Sequence, residues 1–236
     1  MTTDATHVVP GGTSTAATTT TDDRPDTRDM VVVHRVFRRE FRLLPQLVGR
    51  TTPGDTERAA LVADWVGERA DFLHHHHTNE DELVWPRLRE RAPLDDALVA
   101  VMERQHGVVA RLLELLPALV ERWRLEPSVA NREVLRLALE EIPTPLCEHL
   151  DLEEQAVLPL VREHLGAAEY GELGERGRAA TPPSRMPIVL GAMLEEATDE
   201  ERAMLLAGLP LAARAMWHTI GTRQYAAAMR RLRGGR

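Results

Sequence analysis

Between residues 29 and 165, apolar side chains recur at spacings of three, four and seven, and charged side chains fill the positions between them. That period marks one face of a helix. Four such stretches follow one another. The first begins at Asp29, carries Val33, His34, Phe37, Phe41, Leu44 and Val48 on one stripe, and ends at the Pro53-containing turn Gly49–Gly54. Asp55 is placed to cap the second, which runs to about Arg91 past Val62, Trp65, Leu73, Val84 and Leu88 and is expected to kink at Pro86. The third runs from about Leu94 to Arg124 with Val99, Met102, His106, Val109, Leu113 and Val120 inward. The fourth starts near Ser128, is disturbed at Pro143-Thr-Pro145, and continues from Leu146 to Leu165. Amphipathic helices joined by short connections predict an all-α chain built on an antiparallel four-helix bundle, residues 29–166. Residues 1–28, rich in Thr, Ala, Asp and Gly, predict a disordered tail. Residues 167–186 hold several Gly and Pro and predict a linker loop with at most a turn of helix. Residues 187–236 predict two or three further helical pieces, at about 187–196, 199–208 and 211–233, packed on the bundle.

Some polar residues interrupt the apolar stripes. Within Leu73-His-His-His-His-Thr-Asn-Glu-Asp-Glu-Leu-Val-Trp-Pro86 the histidine run lies inside a helical period, unlike a terminal tag. His76 and Glu80 are four residues apart, about 40° around the axis, and both point inward. His74 and His75 share a side with Asp71, Thr78 and Glu82 and face water, while His77 stands at the edge of the buried stripe. The pattern returns 73 residues later in His149-Leu-Asp-Leu-Glu153-Glu154. In both copies the histidine stands ten residues, and the glutamate six, before a proline, Pro86 or Pro159. A lone inward histidine is more often a satisfied core residue, and one His-x-x-x-Glu is weak evidence. Here four successive helices each present one, His34, His76, His106 and His149, and two add Glu80 and Glu153. Buried imidazoles and carboxylates are costly without compensation, and metal ions supply it. The set is too large for one tetrahedral zinc and suits two adjacent ions with bridging carboxylates.

Composition narrows the partners. All 29 basic residues are arginine, and the net charge of −8 argues against nucleic acid because backbone binding needs a basic face. Arg35, Arg38, Arg39 and Arg42 fall off the first stripe and read as a solvated face. No apolar run approaches ~20 residues, so no membrane span is expected. Cys147 is the only cysteine and no basic-then-apolar leader opens the chain, which together predict a reducing cytoplasm. His164 reads as surface or a cap, and His218 lacks an acidic partner at ligand spacing.

On the paired motifs His76-x-x-x-Glu80 and His149-x-x-x-Glu153, the chain over about residues 29–166 resembles the hemerythrin-like family, the HHE cation-binding domain, in its longer bacterial form. The resemblance implies a centre of two iron ions, carboxylate-bridged with an oxo or hydroxo group. It also implies an open position for dioxygen, peroxide or nitric oxide. By the same resemblance His34, His76, His106 and His149 are terminal ligands and Glu80 and Glu153 bridge. Oxygen-carrying members have a further histidine one turn after the third-helix histidine, where this chain has Ala110. His77 is placed to supply the missing ligand, or else stays an edge residue; Asp81 and Glu154 either orient ligands or face solvent. The leading expectation is a protein that binds or senses dioxygen or a related small oxidant. The alternatives are a di-iron oxidase, peroxidase or nitric oxide-handling enzyme, and an iron-storage or structural metal site.

Overall fold

The computed structural model describes residues 23–234, and among these there is helix and connecting chain but no strand. The expected disordered tail lies, up to residue 22, outside the described residues. Four antiparallel rods form the bundle. The first is one helix, α1 (Arg28–Arg50); the second is α2 (Thr56–Leu83) continued by α3 (Trp85–Arg91). A 3₁₀ turn (Pro93–Asp95) leads into the third, α4 (Asp96–Glu114) and α5 (Leu116–Leu125). The fourth is α6 (Val129–Glu140), α7 (Pro143–Leu152), a π-helical turn (Glu153–Val157) and α8 (Leu158–His164). Asp55 and Ser128 cap α2 and α6 through the backbone N–H of Arg58 and Asn131, at 2.9 and 3.3 Å, satisfying donors that a helix start leaves free.

Three rods are broken where the sequence reading has long helices, and each break has a proline in the first turn after it: Pro86, Pro117, Pro143 or Pro159. Proline donates no hydrogen bond and crowds the preceding turn, so the ladder restarts. The expected kink at Pro86 and disturbance at Pro143 are there; the interruption at Leu115, ahead of Pro117, is additional to the sequence reading.

The largest departure is at residues 167–186. Where a loop is expected, Ala167–Ala180 forms α9. Its three glycines each cost the helix about 1 kcal/mol against alanine, and docking on α2 and α3 offsets this. Tyr170 is buried and its hydroxyl donates to Asp29 at 2.7 Å, while Arg91 and Arg87 pair with Glu169 and Glu172, each at 2.7 Å.

Beyond it lie α10 (Met186–Glu196), α11 (Asp199–Ala207), α12 (Leu211–Met216), a second π turn (Trp217–Gly221) and α13 (Thr222–Arg233). Two of the α1 arginines expected to face solvent, Arg35 and Arg39, instead hold this region, and Arg38 pairs with Asp151 and Glu154 of the fourth rod. Arg39 pairs with Glu195 and Glu196 of α10 at 2.8 and 2.7 Å, and Arg35 pairs with Glu201 of α11. The α10–α13 contact depends on Gly191, where an added Cβ would stand 2.3 Å from the Tyr225 ring. Gly191→Ala should therefore separate the two helices and cost roughly 1–3 kcal/mol. Thermal unfolding should show the drop at unchanged metal content; an unaltered melting temperature would show that the contact is slack.

The core falls into two apolar clusters along the bundle. One contains Phe37, Leu73, Val109 and Leu146; the other contains Met30, Val84, Met102 and Val157. On every rod the histidines and glutamates singled out by sequence lie between a residue of one cluster and a residue of the other. A polar layer thus crosses the bundle at one level.

Candidate metal centre

His34, from α1, is fully buried; its Nε2 stands 3.3 Å from Glu153 Oε2 of the π turn. His76, whose side chain is 10 % exposed, places Nε2 3.1 Å from Glu80 Oε1, one turn on along α2. The other Glu80 oxygen, Oε2, faces His106 Nε2 of α4 at 3.4 Å. His149 Nε2, from α7, lies 3.2 Å from His106 Nε2 and 3.6 Å from Glu153 Oε2. His77 is buried against them, stacked on His106 with centroids 4.1 Å apart and planes 11° apart, and edge-on to His149 at 4.9 Å. His74 and His75 are exposed, as the helical wheel requires.

Two quartets result, each with ligand atoms mutually within 4.8 Å: His34, His76, Glu80 and Glu153, and His77, Glu80, His106 and His149. Glu80 belongs to both. All seven residues singled out from the sequence meet in this layer, and His77 leaves the edge position for the second quartet. Ala110 does not contribute; it lines a cleft beside His77 and His106.

These contacts leave the layer unsatisfied. His34 Nε2, His76 Nε2, His77 Nε2, both Glu80 oxygens and Glu153 Oε2 are buried and without a hydrogen-bond partner. Each such atom costs about 1–3 kcal/mol, a burden removed if the lone pairs bind cations. The donor set of imidazole nitrogen and carboxylate oxygen is that of first-row transition ions, so the residues fit such a group.

Outside the quartets, carboxylates hold two of the imidazoles by their other nitrogens. His106 Nδ1 donates to Asp81 Oδ1 at 2.7 Å, and Trp85 Nε1 donates to the same oxygen at 2.8 Å. His34 Nδ1 donates to Glu154 Oε1 at 3.0 Å, and Arg38 clamps that oxygen at 2.6 Å. Each bond fixes a ring and aims its Nε2 lone pair into the layer. Asp81 and Glu154 thus orient the His106 and His34 rings. Trp85 was not singled out from sequence, and Arg38 was expected on a solvated face; the only signal was a tryptophan four residues after Asp81 and an arginine four after His34. Glu40, fully buried between Trp65 Nε1 at 2.8 Å and Arg39 at 2.9 Å, is a separate polar contact also missed.

Electrostatics of the metal-free layer follow from burial. Desolvation lowers His76 to about 4, and desolvation with the His106 charge lowers His149 to about 3. His77 is pushed well down by the same two causes. Burial would also lower His106, but its hydrogen bond to Asp81 and the close Glu80 carboxylate outweigh it and raise it to about 9. Burial works to raise Glu80, yet His76 and His106 bring it to about 2. Glu153 is raised well above the carboxylate range by burial and then by the Glu80 charge.

The π turn carries one ligand of this layer. Leu158 N–H reaches back five residues to Glu153 O, and the widened turn precedes Pro159. Such turns gather at functional sites.

No curated protein and no solved structure matches the chain. Over residues 26–161, more than half of its length, the chain matches the family model described as hemerythrin HHE cation binding domain, and it belongs to that family.

Proposed function

We propose that the layer holds two iron ions and that the protein binds or senses dioxygen or a related small oxidant such as peroxide or nitric oxide. The observation that carries this reading is the pair of quartets sharing Glu80. Its two oxygens face opposite sides, which suits a bridging carboxylate. His34 and His76 would hold one ion and His77, His106 and His149 the other, with Glu153 the second bridge. Four protein groups on the first ion and five on the second leave room for an exogenous ligand. Bound iron would supply the electrons that a small oxidant accepts. The chain's part is to position the ligands through Asp81 and Glu154 and to keep water out with the two apolar clusters.

His77 separates this reading from a reading in which it is only a core residue. His77→Ala should lower metal content from two ions to about one, whereas exposed His74→Ala should retain both; elemental analysis of the purified variants checks this. Equal metal content in the two variants would remove His77 from the ligand set. Spectra of the iron-loaded chain with and without oxygen test the small-ligand part. A stoichiometric, oxygen-dependent band supports binding, catalytic consumption of oxygen or peroxide moves the reading to an oxidase or peroxidase, and no response leaves a storage or structural metal.

A further inference from the structure

The layer is sealed along the bundle axis, since Phe37, Leu73 and Val109 pack on one side of it and Met30, Val84 and Met102 on the other. A hydrated cation does not cross close-packed apolar side chains, because losing its water costs far more than they return. The lateral approaches differ in charge. Beside α1 lies a groove whose charged lining is Arg35, Arg38, Arg39, Arg42 and Arg233 with one carboxylate, Glu196; Arg38 touches Glu154 next to His34. Between α2 and α4 lies a cleft of about 340 Å³, with His74, Thr78, Asp81 and Glu103 on its polar walls. Gly107 and Ala110 lie along α4 in the same cleft, and His77 and His106 face it as well. His74 is exposed, and the Asp81 and Glu103 side chains are 46 % and 40 % exposed.

We propose that this α2–α4 cleft is the loading route by which divalent cations reach the buried layer. The Asp81 and Glu103 carboxylates and the His74 imidazole form the receiving mouth, where protein ligands replace water one at a time. Gly107 and Ala110 leave the wall low enough for the ion to pass on to His77 and His106. The five arginines of the opposite groove outnumber its one lining carboxylate, Glu196, and disfavour the same ion. This inference rests on the metal reading above and adds a path and a rate to it.

The test separates rate from capacity. Full-length protein stripped of metal is mixed anaerobically with Co²⁺, the visible band of the bound ion is followed by stopped flow, and bound Co²⁺ per chain is measured at equilibrium. Ala110→Leu, which fills the cleft, and Glu103→Gln, which removes one negative charge and leaves its partner Arg89 facing the mouth, should reach the parent's final content. Both should load at least about threefold more slowly. The Glu103→Gln deficit should shrink in concentrated salt, which screens charge; the Ala110→Leu deficit should persist. Arg42→Ala, in the opposite groove, should not slow loading. Parent-like rates in both cleft variants overturn the route while leaving the site intact. If Ala110→Leu binds no Co²⁺ at equilibrium, the salt dependence of Glu103→Gln decides alone. A parent chain that takes up no Co²⁺ overturns the metal reading and the route together.

Discussion

Glu80→Ala should empty both metal positions at once, the largest loss expected of any single substitution. Glu80 is the only residue common to the two quartets, and its oxygens stand 3.1 Å from His76 and 3.4 Å from His106. Removing it deprives each ion of a charged ligand and leaves Glu153 as the one carboxylate of the layer to offset two positive ions. His34→Ala removes a ligand from one quartet and should cost about one ion. Metal that binds only the folded chain stabilises it by about 4 kcal/mol at a thousandfold excess over Kd. The rise in melting temperature that metal brings to the parent should therefore vanish in Glu80→Ala and be halved or better in His34→Ala. Elemental analysis and calorimetry report the two effects separately. Retention of one ion by Glu80→Ala would show that the quartets do not share a bridge.

Acid should destabilise the metal-free chain well before it disturbs the loaded one. His76 and His149, brought by burial to about 4 and about 3, and His77, lowered by the same cause, stay neutral in the fold. The unfolded chain binds a proton at each of them below about 6.5. Their contribution is complete above that pH and is lost as pH falls toward the folded values, by roughly 1–2 kcal/mol per imidazole at pH 5. Two groups act in the opposite sense. Glu153, raised by burial and by Glu80, and His106, raised to about 9 against burial by its hydrogen bond to Asp81 and the close Glu80 carboxylate, favour the protonated fold. Between pH 7 and 5 they offset part of the loss and leave a net decrease, because three imidazoles lose more over that range than two groups can return. His77→Gln takes one of the three neutral imidazoles away, so denaturant titrations of the metal-free variant should show a shallower fall over the same range. Identical slopes would mean that His77 is protonated in the folded chain. Metal binding fills the lone pairs and should flatten the profile until acid displaces the ions.

The helical period along residues 29–165, the inward placement of His34, His76, His106 and His149, and the pairing of two histidines with glutamates one turn on are legible in the chain alone. All depend on angles within one helix, and 100° per residue is a property of the backbone. The same geometry sends His74 and His75 outward. It does not decide His77, which at 100° from His76 stands at the edge of the stripe. Only the approach of α4 and α7 to that edge, which stacks His77 on His106, brings it into the second quartet. The same holds for Arg35 and Arg39 of α1. A wheel shows them off the stripe but cannot show that α10 and α11 will cover that face with Glu195, Glu196 and Glu201. In α9, glycines lower local helix propensity, and contacts with α2 and α3 override it. Periodicity thus determined the bundle and the inward ligands, because both are local consequences of the helix. Tertiary packing decided the fifth histidine, the acids that aim the rings and the loading cleft, because each exists only where two helices meet.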